Sequence, residues 1–313
     1  MTPTARAQWQ IHFCVVLWGF TAILGKLITL PALALVWWRM LLVVAALSLV
    51  PRVWRGLRAM PPRLVAAYAG IGVLVALHWL TFYASIKLSN ASVGATCIAL
   101  GTVFTALVEP KLAGSRFRLR DLALGIAVLP GVALVVGGVP EGMRMGILVG
   151  ALSAALVAVF GSLNKRLVEH GDALTVTGIE LAAGAAAMIL LAPALEWLWP
   201  GQGGGLLTLP STRDLLFLLA LSLGCTLLPY SLSLVALRHM SAFAAQLAVN
   251  LEPVYAVVLA IVLLGEQREL TMQFYAGVAI LLGAVLAYPL LHRRRRIEHA
   301  DMLAASEAKG ALD

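Results

Sequence analysis

The stretch from Ser241 to Glu266, SAFAAQLAVNLEPVYAVVLAIVLLGE, decides the fold class of this chain. It is long enough to cross a bilayer as one helix, and it is apolar except for Gln246, Asn250 and Glu252 near its middle and Glu266 at its end. At about 1.5 Å rise per residue, Glu252 lies roughly 15 Å along the segment, close to the bilayer midplane. A carboxylate at that depth costs about 2.5–3.5 kcal/mol unless it faces a partner or a water-filled cavity.

Pro253 follows Glu252 directly and interrupts the backbone hydrogen bonding of this segment. Because proline has no N–H, the carbonyl of Val249 loses its helical partner. An acid, amides and a broken helical hydrogen bond therefore meet in the middle of the membrane. Such discontinuous helices are typical of transporter binding sites. We interpret Glu252, Asn250 and Gln246 as candidate substrate-binding residues.

The composition places the whole chain among membrane proteins. Of its 313 residues, 61% are hydrophobic and only 12% are charged, against about 25% charged in soluble domains. The net charge of +8 lies in short loops and in the C-terminal tail. It therefore indicates topology and contact with lipid headgroups rather than with nucleic acid. The three cysteines lie in apolar runs without metal-ligand spacing, so no disulfide, metal or other cofactor is implied.

The apolar segments predict an all-α polytopic membrane protein with ten transmembrane helices. Each segment is near the roughly 20 residues that a spanning helix needs, and the connections carry proline, glycine or charge. The predicted spans are 11–30, 33–50, 64–86, 91–112, 120–138, 145–167, 173–195, 214–236, 242–264 and 272–291.

The distribution of lysine and arginine predicts the orientation. With the N-terminus in the cytoplasm, 17 of the 23 lie on the inner side and 4 on the outer side, while Lys26 and Arg39 lie within spans. Because positive residues concentrate in cytoplasmic loops, both termini are expected in the cytoplasm. We expect a multi-pass protein of the cytoplasmic (inner) membrane.

The two halves of the chain form a weak internal repeat. Ser85–Ala91 aligns with Ala236–Ala242 at an offset of 151 residues, and the same offset places Gly114 on Gly265. Each half holds five predicted spans, and an odd number gives the halves opposite orientations in the membrane, which is the inverted-repeat architecture of many transporters. The predicted units are a first repeat at 11–138, a second at 145–291 and a cytoplasmic polar tail at 292–313.

Several short motifs occur in a distinctive order over residues 11–291: Trp18-Gly19-Phe20, Trp38-Arg39, Ala236-Leu237-Arg238, Leu251-Glu252-Pro253-Val254, Leu264-Gly265-Glu266 and Gly277 to Gly283. With them the sequence resembles the EamA-type members of the drug/metabolite transporter superfamily. The resemblance implies ten helices in two inverted five-helix repeats and secondary transport of small metabolites through a central cavity. The first half departs from the second, because it has Gly101-Thr102 where the second has Glu252-Pro253.

Three cationic or titratable residues fall in the predicted outer half of the membrane. Lys26, Arg39 and His78 would together suit a carboxylate or phosphate on the substrate. The alternative roles are snorkelling for Lys26 and interhelical hydrogen bonds for Arg39 and His78. Tyr83 and Tyr230 complete the candidate substrate-binding set, with interface or packing roles as their alternatives.

The sequence therefore predicts a secondary, alternating-access transporter of small organic metabolites. Desolvation favours a protonated carboxyl at mid-membrane, so Glu252 makes protons the candidate coupling ion. A carrier of nucleotide sugars or lipid-linked substrates in the same superfamily is one alternative. A non-transporting membrane enzyme or assembly subunit is the other, although no metal-ligand or phosphate-loop pattern supports an enzyme.

Overall fold

The computed structural model describes residues 2–198, 205–265, 271–280 and 282–283, and all regular structure in these ranges is helical. Three features of the sequence interpretation lie outside the described residues. They are Glu266, part of the predicted tenth span (281 and 284–291) and the predicted tail 292–313.

The described helices follow each other with short connections. The first half contains α1 (Pro3–Leu27), α2 (Ala32–Ser48), α3 (Pro51–Ala59), α4 (Pro62–Leu88), α5 (Ala91–Cys97), α6 (Gly101–Leu112) and α7 (Leu119–Gly137). The second half contains α8 (Arg144–Leu167), α9 (Ala173–Leu198), α10 (Thr212–Leu219), α11 (Leu228–Leu237), α12 (Ala242–Val249), α13 (Glu252–Leu264) and α14 (272–280). A 3₁₀ turn, Ile98–Leu100, joins α5 to α6, and a π-helical segment, Ala220–Leu227, joins α10 to α11.

Seven helical segments of the described chain are long and apolar enough to cross a membrane. The helices α2 and α3 meet at a bend of 92° and count as an eighth candidate only if they are taken together. The protein is therefore a multi-pass, all-helical membrane protein, as the composition predicts. The exact number of ten spans stays a prediction.

The helix α3 occupies residues for which the sequence pattern predicts only a connection between spans. Its nine residues are too few to cross a bilayer, and three of its positions are arginines. Val53 is buried, and Arg52 forms an ion pair with Asp172, next to the start of α9. The indole of Trp54 donates to the carbonyl of Ser48 (2.7 Å), which fixes the bend.

Small residues bring α4 and α9 into backbone contact. A Cβ added at Gly72 would overlap the backbone carbonyl of Glu180, and one at Gly184 would lie 2.8 Å from the carbonyl oxygen of Gly72. Lipid tails are as apolar as the side chains, so close packing of this kind replaces the hydrophobic effect between membrane helices.

The repeat of 151 residues reappears in the ends of the two helices that carry it. Asn90 caps α5 through the N–H of Val93, and Ser241 caps α12 through the N–H of Ala244. Gly114 follows α6 and Gly265 follows α13, each with φ of 71°, in the left-handed region that favours glycine. Both segments are interrupted in the middle, at 98–100 and at 250–251.

Candidate functional site

A central cavity of about 860 Å³, part of it open to solvent, lies between α1, α2, α4, α8, α11, α12 and the start of α13. Its polar lining includes Arg39, His78 and Glu252, which lie well inside their helical segments. It also reaches Leu237 and Ala242, the last residue of α11 and the first of α12. The cavity therefore extends from the middle of the bundle to the end at which α12 begins. Its aromatic lining is Trp18, Trp79, Phe82, Phe160 and Tyr230.

Arg39 is held rigidly in the cavity wall. It is 2% exposed, its Nε donates to the hydroxyl of Thr226, and its Nη1 donates to the hydroxyl of Tyr83 (2.8 Å). Its guanidinium also lies 3.9 Å from the centre of the Trp79 ring, a cation–π contact. These contacts fix the plane of a group that binds carboxylate or phosphate in bidentate fashion.

The π-helical segment explains how Thr226 reaches Arg39. Pro229 follows this segment and lacks the N–H that would continue regular helical bonding to Cys225. Within the segment the hydroxyl of Thr226 donates to the carbonyl of Leu221 (2.7 Å), five residues earlier. The hydroxyl oxygen is then oriented to accept from Arg39. Departures of this kind from the α-helix are frequent at functional sites.

Glu252 is the first residue of α13, directly after the break that Pro253 predicts. It lines the cavity and is 6% exposed. Among the described residues no hydrogen bond reaches its carboxyl group and no ion pair within 4 Å joins it to a cation. Arg39 lines the same cavity. The cavity wall thus holds a fixed cation and a carboxyl group without a hydrogen bond from the described residues.

The two predicted amides join the second broken helix to the first. Gln246 lines the cavity and donates through Nε2 to the carbonyl of Ile98 (3.4 Å). Asn250 is 1% exposed and donates through Nδ2 to the hydroxyl of Thr102 (2.6 Å). The interruptions at 98–100 and 250–251 therefore cross each other, and polar side chains connect them.

His78 is fixed by the neighbouring helix α8. Its Nδ1 lies 2.8 Å from the hydroxyl and 2.9 Å from the carbonyl oxygen of Ser153. The rings of Phe82 and Phe160 flank it, at centroid distances of 6.3 and 5.3 Å. His78 lines the cavity, so its imidazole borders the same space as Arg39.

Tyr230 connects the cavity to a buried acid. Its ring lines the cavity and packs edge-on against Trp79 at a centroid distance of 6.0 Å. Its hydroxyl donates to Oε2 of Glu180 and accepts from Nδ2 of Asn164 (3.4 Å). Arg39 forms no ion pair with Glu180, because its guanidinium binds Thr226 and Tyr83 instead.

Comparison with protein families decides the affiliation of the chain. The model of the EamA-like transporter family matches residues 8–137 and 144–288, which together make up most of the sequence. The chain belongs to the EamA-like transporter family. The match confirms the resemblance drawn from the motifs, and it assigns the protein to the transporters of the drug/metabolite transporter superfamily.

Solved structures add support for the fold of this EamA-like protein. A chain described only as a crystal structure of a protein superposes with a TM-score of 0.66 over 93% of this chain and 98% of its own length. The two sequences are 20% identical, so the likeness concerns the fold alone. No curated protein sequence matches the chain.

The cavity of this EamA-like protein gathers five of the eight residues predicted from the sequence: Glu252, Gln246, Arg39, His78 and Tyr230. Tyr83 lies behind Arg39 as its hydrogen-bond acceptor. Asn250 lies at the crossing of the broken helices. Lys26 is exposed and donates to the carbonyl of Ser89 (3.5 Å) instead of lining the cavity. A role in substrate binding stays a prediction for all eight.

Two contributors to the site have weak signals in the sequence. Thr226 is one of many small polar residues within spans, and only Pro229 nearby marks an irregular helix. Phe160 lies in an apolar run of α8 that has no distinguishing pattern. Among the described residues no group of three or more histidines, cysteines or acids is placed to hold a metal ion.

Proposed function

We propose that this EamA-like protein is a secondary transporter that moves small organic metabolites with an anionic group by alternating access, with Glu252 carrying the coupling proton. The observation that carries the proposal is the presence of Arg39 and Glu252 in the wall of one cavity. The cavity is concave and mostly apolar with a few polar groups, as small-molecule sites are. The aromatic lining favours substrates with an apolar or planar body.

Arg39 is suited to receive the anionic group. Its Nε and Nη1 are engaged by Thr226 and Tyr83, while Nη2 makes no hydrogen bond with the described residues. That nitrogen is free to donate to a carboxylate or phosphate in the cavity, and the charge assists the bond. Gln246 and His78 on the same wall supply further polar contacts.

Coupling follows from the interaction between Arg39 and Glu252. Before substrate binds, the positive charge of Arg39 in the same cavity wall attracts a carboxylate. An anionic substrate on Arg39 neutralises that charge, so a proton then binds Glu252 more readily. Substrate and proton are thereby bound together and released together, which is the requirement for symport.

The proposed topology has ten spans in two inverted repeats, at 11–138 and 145–291. Both termini lie in the cytoplasm, and the membrane is the cytoplasmic (inner) membrane. With that orientation the end of the cavity at Leu237 and Ala242 faces the cytoplasm. At the opposite end, Lys87 donates to the carbonyl of Ile28, and Asp214 accepts from the backbone and hydroxyl of Thr29. This arrangement supports an inward-facing state.

Transport in proteoliposomes tests the proposal. A panel of carboxylate-bearing, phosphate-bearing, cationic and neutral metabolites is assayed for counterflow and for uptake driven by a pH gradient. We expect counterflow only with anionic compounds, and we expect Glu252→Gln to retain counterflow but lose gradient-driven accumulation. Glu141→Gln, at an exposed ion pair, serves as the control. Absence of counterflow for every compound would favour the membrane enzyme or assembly subunit.

Cysteine labelling tests the orientation. The native Cys14, Cys97 and Cys225 are buried, so single cysteines at exposed positions give a clean signal. Leu209→Cys, at 78% exposure between α9 and α10, should react with a membrane-impermeant reagent in intact cells, whereas Arg58→Cys should react only after lysis. The reverse pattern would contradict the proposed topology.

A further inference from the structure

A second buried acid lies next to the central cavity, and transport through Glu252 does not use it. Glu180, on α9, is fully buried. Its Oε2 accepts the hydroxyl hydrogen of Tyr230, on α11, and the oxygen of that hydroxyl accepts from Nδ2 of Asn164, on α8 (3.4 Å). Three helices therefore bring one acid, one phenol and one amide together.

Two buried polar atoms of this cluster have no hydrogen bond with the described part of the chain. Neither Oε1 of Glu180 nor Oδ1 of Asn164 has a hydrogen-bond partner among the described residues, and both atoms are buried. Both atoms are acceptors when Glu180 is ionised, and unsatisfied buried acceptors are rare in folded proteins. A proton on Oε1 removes the negative charge and converts that atom into a donor, and Oδ1 of Asn164, in the same cluster, is an acceptor unpartnered within the described chain.

No cation in the described chain neutralises Glu180. The titratable groups that face it are Tyr68 from α4 and Tyr230 from α11. From α2, Arg39 is turned to Thr226 and Tyr83. Beyond the ends of α9 and α11, the cations are engaged elsewhere: Arg52 of α3 pairs with Asp172, and Arg238 donates to the carbonyl of Gly171. An isolated buried carboxylate is costly, so these surroundings favour the neutral acid.

The cluster also lies between the central cavity and a narrow crevice. Tyr230 lines the central cavity, while Asn164 lines the crevice together with Tyr68 and Arg238. Glu180 lies behind both Tyr230 and Asn164. A change of its charge therefore acts directly on a hydroxyl and a ring that shape the wall of the central cavity.

We propose that Glu180 is a second proton-binding site, distinct from Glu252, and that Tyr230 links its proton to the wall of the central cavity. In this state the proton resides on Oε1 and is donated to Oδ1 of Asn164, while Oε2 accepts from Tyr230. Release of the proton leaves a carboxylate that draws the donors of Tyr230 and Asn164 toward itself. This site does not depend on the proposed function, because proton binding at Glu180 is measured without any substrate.

Infrared difference spectroscopy of the full chain, reconstituted in phosphatidylcholine vesicles, tests the proposal. Protonated carboxylic acids have a carbonyl stretching band that responds to exchange from H₂O to D₂O. We expect the wild-type band to contain a component that Glu180→Gln removes and that Glu252→Gln leaves in place. Tyr230→Phe keeps the acid but removes a donor to Oε2, so the same component should remain and shift in frequency.

The possible results separate the proposal from its rivals. An unchanged band in both Glu180→Gln and Tyr230→Phe would overturn it. Loss of the component on adding Na⁺ at constant pH would also overturn it, because the cluster would then hold a metal cation in place of a proton. Should Glu180→Gln fail to fold, the shift in Tyr230→Phe alone decides, and no shift would overturn the proposal.

Discussion

The segments α5–α6 and α12–α13 begin, break and end in the same way, but their acidic residues have different contacts. Each begins at a capping side chain, Asn90 or Ser241, and ends at a glycine with φ of 71°, Gly114 or Gly265. Each is interrupted near its middle. The four ends coincide at the repeat offset of 151 residues.

The difference lies in what each carboxyl group contacts. In the second segment Glu252 lines the cavity without a hydrogen bond from the described residues. In the first segment Glu109 is 4% exposed, and its two oxygens accept the backbone N–H groups of Ala242 and Phe243, at 2.9 and 2.7 Å. One acid of the pair thus caps the opposite half of the protein, and the other borders the candidate substrate site. A repeated backbone does not require repeated chemistry.

The largest expected loss of stability follows from substitution of Glu109. Hydrogen bonds to charged groups contribute about 1.5–3 kcal/mol each, and Glu109→Ala removes two of them while it exposes the start of α12. We expect a loss of about 3 kcal/mol in the free energy of unfolding, seen as a lower thermal midpoint of the purified protein. Glu141→Ala, which removes an exposed ion pair with Arg144, should change little. Equal midpoints for the two variants would refute the capping role.

The next effect concerns the crossing of the two breaks. Thr102→Val leaves Nδ2 of the buried Asn250 without its acceptor, which costs about 2 kcal/mol. Thr105→Val is a matched control on the same helix, because the hydroxyl of Thr105 is buried without a partner and its removal should be neutral or stabilising. Thermal unfolding of both variants measures the difference. If Thr105→Val is the more damaging, the polar link between the halves is unimportant.

The sequence predicts the helix boundaries and breaks of these segments better than it predicts their side-chain contacts. Hydrophobic length gives the helices, Pro253 predicts the break before α13, and the alignment of Gly114 with Gly265 predicts two matching helix ends. Membrane helices such as α9 are apolar on nearly all sides, so the periodicity that reveals the buried face of a soluble helix is absent. The rotation that brings Glu180 to Tyr230 is therefore not readable from the sequence.

Other features were missed for different reasons. The cap that Glu109 places on α12 joins residues 133 positions apart, and no local motif marks such a pair. The helix α3 is too short for a span, although its arginines lie three residues apart. The depth of Lys26 is readable from the sequence, but its direction is not, and the side chain lies outside the cavity lining.

A smaller effect is expected at the two matching glycines. An L-residue at φ of 71° costs roughly 1 kcal/mol, so Gly114→Ala and Gly265→Ala should lower the unfolding free energy by about the same amount. Gly70→Ala, in the helical interior of α4 with open space around it, should cause no loss. A difference of several degrees in thermal midpoint between Gly114→Ala and Gly265→Ala would break the equivalence of the two helix ends.

The smallest effect should distinguish the two capping side chains. A lost N-cap costs about 1 kcal/mol, which we expect for Asn90→Ala. Ser241→Ala should cost about half as much, roughly 0.5 kcal/mol, because Glu109 already binds two N–H groups of the same helix start. In a Glu109→Ala background, Ser241→Ala should cause a larger loss of unfolding free energy than it does in the wild type. If the shifts in thermal midpoint of the two single variants add up in the double variant, the two caps act independently.

The backbone contact at Gly72 has a mechanical consequence. Because the carbonyl of Glu180 occupies the place where a Cβ of Gly72 would lie, α4 and α9 have no side chain between them at this crossing point. We expect the two helices to move together there. His78 on α4 and Glu180 on α9 are therefore expected to move together, and we expect the hinges of any rocking of the bundle at the helix interruptions 98–100 and 250–251.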